Sequence, residues 1–241
     1  MSPDRSGSFS PWLLVSLIGA FVLTGAGAGP SSARAQEEVL LAAYRQYLAD
    51  HPGDVGKRME YGRSLLERGR LAEAIEQFER VLDERPRDRE VLGTLAELYS
   101  WRGRTEARIE MHERLLALGS ASPSRRRTLA ELHFQHGRPG DGIDQLEQIL
   151  KQRPEDLELR RELANRYFWN GRPEDGIDQL ERIVEARPED LELRRELANR
   201  YFWNGRPGAG VDQLEQILKQ RPEDLELRRE LASRYFWNGR P

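Results

Sequence analysis

The chain of 241 residues contains no cysteine. That excludes disulfides, thiolate metal sites, a cysteine nucleophile and a lipidated cysteine anchor. It also lacks an excess of either charge, with 38 basic and 41 acidic residues and a formal net charge of −3. Nucleic-acid binding needs a strong basic excess, so no nucleic-acid partner is expected. There is no HExxH, no GxSxG and no Walker loop. The carboxylates alternate with arginines, as on solvated helix faces, and do not pair for acid–base chemistry. Apolar residues are only 38% of the chain and charged residues reach 33%. That balance suits stacked amphipathic helices, each burying one stripe. No stretch alternates in the manner of a strand.

Histidine is scarce too, with His51, His112, His133 and His136 alone. His133 and His136 are three apart, close enough to share a metal, but no carboxylate cluster completes a site. They are expected to be structural. No metal, cofactor or enzymatic activity is expected.

Long apolar runs are confined to Trp12–Leu23. About 12 residues is short of the roughly 20 needed to span a bilayer and matches a signal-peptide core. Ala33-Arg34-Ala35 follows as an A-x-A cleavage site. Residues 1–35 are therefore expected to be a signal peptide, with Gln36 opening the mature chain. The alternative is an uncleaved N-terminal anchor, the only expected membrane contact. Either way the remainder is exported, periplasmic or extracellular.

From there on, one period organises the chain. Gly-Arg recurs at Gly69, Gly103, Gly137, Gly171, Gly205 and Gly239, every 34 residues. Pro52, Pro86, Pro154, Pro188 and Pro222 keep the same register, with Ser120 in the remaining slot. Residues 157–190 and 191–224 match at 27 of 34 positions. A fixed period in this range marks a solenoid. The expected organisation is a leading helix (36–54), five repeats (55–88, 89–122, 123–156, 157–190 and 191–224) and helix A alone of a sixth (225–241).

Each repeat reads as two helices. In 157–190, Leu159, Leu163, Ala164 and Tyr167 recur at helical spacing. Asn170-Gly171 breaks that helix and Pro173 starts the next, with φ preset for a first helical position. Ile177, Leu180, Ile183 and Val184 form the second stripe, and Asp190 caps the following helix. Ala164 and Gly176 are small where paired helices approach. Arg108 interrupts the second small series and His112 replaces an apolar residue, so the second repeat is expected to be the least well packed.

These features resemble the tetratricopeptide repeat family: the period, the Leu-Ala-x-x-Tyr run, the turn glycine, the small residue of helix B and the final proline. The tryptophan often found early in helix A is replaced by Arg160 and Arg194. The resemblance covers Glu37 to Pro241. It implies an all-α, right-handed superhelical solenoid of 34-residue helix-turn-helix repeats, with helix A lining a concave groove. It also implies protein or peptide binding without chemistry.

On a helical wheel at about 100° per residue, Arg161, Asn165, Phe168 and Trp169 fall away from the Leu163–Tyr167 stripe. The resemblance turns that second stripe toward the groove. It recurs as Arg195, Asn199, Phe202 and Trp203, then as Arg229, Ser233, Phe236 and Trp237. The Arg/Asn pair resembles a carboxylate clamp. The competing reading is a charge network with Glu158 and Glu162. The aromatics are either packing between repeats or a stacking surface for a peptide or, alternatively, a polysaccharide.

The function expected is a non-enzymatic secreted or periplasmic scaffold that binds a protein or peptide in its groove. The alternative is the repeat portion of an exopolysaccharide or envelope export component, or of an enzyme, whose functional domain lies beyond residue 241. That alternative follows from the sixth repeat, which has no helix B to cover Leu227, Leu231 and Tyr235.

Overall fold

The computed structural model describes residues 30–119 and 122–237, with side chains from residue 34 onward. The apolar run Trp12–Leu23 lies outside the described residues, as do Asn238–Pro241. Among the described residues there are twelve helices and no strand. No helix there is long and apolar enough to cross a membrane. The helices fall into two units that divide after Gly119.

The first unit holds α1 (Pro30–Asp50), α2 (Val55–Glu67), α3 (Leu71–Glu84), α4 (Arg89–Trp101) and α5 (Thr105–Ala117). The second holds α6 (Pro123–Gln135), α7 (Pro139–Gln152), α8 (Leu157–Trp169), α9 (Pro173–Ala186), α10 (Leu191–Trp203), α11 (Pro207–Gln220) and α12 (Leu225–Trp237). From α2 to α11 each helix A forms a hairpin with its helix B, and within a unit helix B packs on the next helix A. This is the expected all-α repeat solenoid.

The punctuation lies in a few side chains. Asp54, Asp156 and Asp190 accept hydrogen bonds from the backbone N–H groups of Lys57, Leu159 and Leu193. Such a cap is worth about 1 kcal/mol. Gly171 stands at φ +69° and ends α8. Around it, Arg172 N–H donates to the Tyr167 carbonyl at 2.9 Å and Gly171 N–H to that of Phe168 at 3.3 Å. Any Cβ at that left-handed position costs roughly 1–2 kcal/mol.

The small residues of helix B, expected where paired helices approach, make room for a ring of the paired helix. A Cβ added at Gly176 would stand 2.6 Å from the Phe168 ring, and at Gly210 the same distance from Phe202. At Gly142 it would meet Phe134 at 2.5 Å. The glycine is the socket for the phenylalanine of its own repeat. In the first repeat the pair is Leu66 and Ala74, with the volume divided more evenly.

Buried polar pairs recur as well. Arg160 donates through Nη1 to Gln179 Oε1 at 2.9 Å and through Nη2 to the Pro154 carbonyl at 2.7 Å. Arg58 does the same with Gln77 and Pro52. Arg126 and Arg194 also donate to Gln145 and Gln213. Each arginine ties helix A to its helix B, and those of the first, fourth and fifth repeats also hold the preceding loop.

The second repeat changes both devices together. Leu92 and Met111 stand where the others have arginine and glutamine, and both are buried. Ser100 and Arg108 stand where the third, fourth and fifth repeats have phenylalanine and glycine, so the bulky residue has moved from helix A to helix B. The expectation of weak packing here came from Arg108 and His112 alone. Val91, Leu92 and Leu95 are fully buried, and α5 contributes Ile109, Met111 and Leu115. The remaining cost is Arg108 Nε, buried without a hydrogen-bond partner.

Tyrosines link successive repeats. Tyr99 donates to Glu79 at 2.7 Å and Tyr167 to Glu147 at 2.5 Å, and Tyr201 donates to Glu181. Burial, then the glutamate beside each, holds these phenols above their usual range. A raised folded pKa favours the protonated form in the fold. Its contribution is complete below about pH 10, where an unfolded tyrosine titrates, and is lost as pH rises beyond it. Thermal melts should therefore be flat between pH 8 and 9.5 and fall steeply above 10. A Tyr167→Phe/Tyr201→Phe variant should show a shallower fall. An unchanged slope would contradict the link.

Candidate functional site

The helix-A face of the second unit is built from α6, α8, α10 and α12. Of these, α8, α10 and α12 are nearly identical and present the same side chains in register, because their sequences repeat and their buried stripes are fixed by Leu163/Ala164/Tyr167 and their equivalents. Arg161 Nη2 lies 2.5 Å from Glu196 Oε2, and Arg195 Nη1 lies 2.8 Å from Glu230 Oε2. Arg127 pairs in the same way with Glu162 at 2.8 Å. The candidate clamp arginines thus bridge to the next helix A, and their carboxylate partners lie 35 residues on, not on the same helix. Arg229 is exposed on α12. Asn165 and Asn199 are half-buried and make no side-chain hydrogen bond among the described residues.

Phenylalanine and tryptophan, adjacent in sequence, have separate surroundings. Phe168 and Phe202 are half-buried in the glycine sockets of α9 and α11. Each is then covered from the following repeat: the Arg200 guanidinium lies 3.9 Å from the Phe168 ring centre, and Arg234 lies 3.9 Å from that of Phe202. Arg166 covers Phe134 at 3.8 Å. Trp169, Trp203 and Trp237 are 74%, 75% and 80% exposed. Arg166 and Arg200 also approach the tryptophan three residues ahead, at 5.7 and 5.4 Å. A guanidinium between two rings is held flat and partly desolvated, which strengthens each cation–π contact to roughly 1 kcal/mol. Phe236 on α12 is 79% exposed, unlike Phe168 and Phe202.

The arrangement presents a row of tryptophans on a base of phenylalanine, arginine and glutamate. Arg166, Arg200 and Arg234 did not enter the candidate site from sequence. Their signal was available: each recurs 34 residues apart, 32 residues after the phenylalanine it covers. The first unit offers one equivalent, Trp101, 66% exposed at the end of α4.

No group of three or more histidine or acidic side chains able to hold a metal occurs among the described residues. His133 is 1% exposed, in the slot that Tyr167 fills elsewhere, with Nδ1 4.0 Å from Asp141 Oδ2.

The fold and this repeated face define a helical-repeat protein. Profiles of the tetratricopeptide repeat match residues 28–89, 65–132 and 133–201, and the chain belongs to that family. Proteins of this family bind peptides or proteins, and the repeat is typically a non-catalytic scaffold. No curated protein matches the chain. Among solved structures, that of Naa15/Naa10 bound to HypK-THB is 19% identical with a TM-score of 0.60, covering 94% of this chain and 34% of that one. MamA is 19% identical with a TM-score of 0.42, covering 71% and 94%. YrrB, described as a TPR protein with an unusual peptide-binding site, is 13% identical with a TM-score of 0.42, covering 78% and 97%. At these identities the likeness is one of fold.

Proposed function

We propose that this chain is an exported, non-enzymatic scaffold that holds a protein or peptide segment on the helix-A face of its second unit. The observation that carries the reading is the row Trp169, Trp203 and Trp237. A tryptophan in contact buries about 150–250 Å². Leaving three of them in water at equivalent places offers apolar area that only a ligand would use, while Phe168 and Phe202 beside the first two are already covered. The arginine–glutamate ladder flanks that row with hydrogen-bonding groups in both senses.

A peptide selected from a random library on the whole protein supplies the test. Trp169→Ala/Trp203→Ala should weaken its binding at least tenfold, since aromatic anchors dominate such interfaces. Both rings are exposed, so the variant should stay folded, its melting temperature lowered only by loss of the Arg166 and Arg200 contacts. Undiminished peptide binding by the double variant would overturn the reading. Selective capture of a soluble polysaccharide, with no peptide selected, would overturn it in favour of a glycan ligand.

Export rests on the apolar run and the Ala33–Ala35 motif. Mass spectrometry of the exported protein should find Gln36 at its N-terminus, whereas an intact Met1 in the membrane fraction would indicate an anchor.

A further inference from the structure

A second site lies on the other side of α8. Arg160 and Trp169 are nine residues apart, which places them at about 180° on the helix. Arg160 lines a cavity of about 350 Å³ between α7, α8 and α9. Its wall includes Lys151, Arg172 and Arg182, with Glu147 and Asp175 as the acidic members. Both carboxylates are engaged: Glu147 accepts from the Tyr167 hydroxyl, and Asp175 pairs with Arg172 at 2.7 Å. Lys151 and Arg182 have no ion-pair partner among the described residues. Arg160 is 7% exposed, and its buried Nε has no hydrogen-bond partner. The lining thus carries four cations against two anions.

The near-identity of the repeats supplies an internal comparison. One repeat further on, the lining positions become Glu181, Glu185, Arg194, Arg206, Ala209 and Gln216. Lys151 is replaced by Glu185 and Arg182 by Gln216, and the charges cancel. The first unit has a related cavity lined by Arg45, Arg58 and Arg80, but there Glu73 and Glu76 face them and Arg80 pairs with Glu76 at 2.7 Å. Repeats 4 and 5 differ at only seven positions, and two of these, Asp175/Ala209 and Arg182/Gln216, fall on this lining.

We infer that the cavity between α7, α8 and α9 is an oxyanion-binding site for a dianionic phosphate-type group, held by Arg160, Arg182 and Lys151. Guanidinium groups match the planar oxygen pairs of such an anion, and Lys151 adds a point charge. The charge excess of two fits a dianion better than a single carboxylate. Burial and the charge of Arg182 hold the Arg160 guanidinium below its usual range, so a bound anion relieves a repulsion already present. Glu155 also acts on Arg160 but is exposed and does not line the cavity.

Calorimetric titration of inorganic phosphate into the whole protein at fixed ionic strength tests this. One saturable site per chain is expected, with acetate at least tenfold weaker. Lys151→Gln/Arg182→Gln changes two exposed side chains and should weaken phosphate at least tenfold without lowering the melting temperature. The reciprocal Glu185→Lys/Gln216→Arg should add a second site at the next junction. Absence of a saturable heat, equal affinity for acetate, or undiminished binding by the first double variant would each overturn the assignment.

Discussion

Gly176→Ala will destabilise the fourth repeat, whereas Gly93→Ala will stabilise the second. Both glycines lie in helix interiors, where alanine is ordinarily better by about 0.5–1 kcal/mol. At Gly93 a Cβ would meet nothing within 4 Å, so that gain should appear in full. At Gly176 the Cβ would fall 2.6, 2.8 and 2.9 Å from three atoms of the Phe168 ring. The ring cannot relieve that clash by bending. It must leave its socket, and with it the guanidinium of Arg200 loses its platform. Overpacking of this kind costs roughly 1–3 kcal/mol, which outweighs the helix-propensity gain. The first repeat shows the remedy, for Leu66 and Ala74 stand at the two positions there. Phe168→Leu/Gly176→Ala should therefore recover most of the loss, with a coupling of about 1 kcal/mol or more between the two sites. Urea unfolding of the four variants measures it. Destabilisation by Gly93→Ala, or additivity of the pair at positions 168 and 176, would show the socket account to be wrong.

That pair also shows what sequence reading reached and what it missed. The repeat, the helix boundaries and the caps were legible because they follow from neighbours along the chain. Asp190, Gly171 and Pro173 act within one turn of where they stand. The partners of Phe168 left only the indirect signal of their recurrence, because they lie eight residues ahead across a turn and 32 residues ahead on the next helix A. The same holds for Arg161, whose nearby glutamates in sequence, Glu158 and Glu162, were the visible candidates while Glu196 took the contact. Adjacent Phe168 and Trp169 look alike in composition, yet a 100° step on the helix puts one in a socket and the other in water. The compensating changes of the second repeat were readable only once Arg160 and Gln179 were known to touch. Until then Leu92 and Met111 were two ordinary apolar residues, and only Arg108 and His112 stood out.

Arg160→Ala should cost the fourth repeat about 1–3 kcal/mol, and Arg160→Leu/Gln179→Met should cost much less. The single change removes the donor to Gln179 Oε1 and to the Pro154 carbonyl. Leaving these part-buried acceptors unsatisfied carries a penalty of up to that order. Loss of the aliphatic stem, which packs along the helix pair, adds to it. The double change is the solution already present two periods back, where Leu92 and Met111 are 0% and 4% exposed. Replacing a buried polar pair by apolar side chains of similar volume is often neutral. The loop at Pro154 still loses its tie, so recovery should be incomplete, and hydrogen exchange should localise the residual loosening to residues 153–156. Hydrogen exchange across α8 and α9, read with the unfolding midpoint, decides between outcomes. If the double variant is as unstable as Arg160→Ala, the arginine acts chiefly by holding the loop, and the exchange seen in the second repeat reflects its own altered loop at Pro86-Arg87-Asp88. If it matches the parent, the polar pair is interchangeable with the apolar one. Its retention at Arg58, Arg126, Arg160 and Arg194 then needs a reason other than stability, such as the cavity that Arg160 lines.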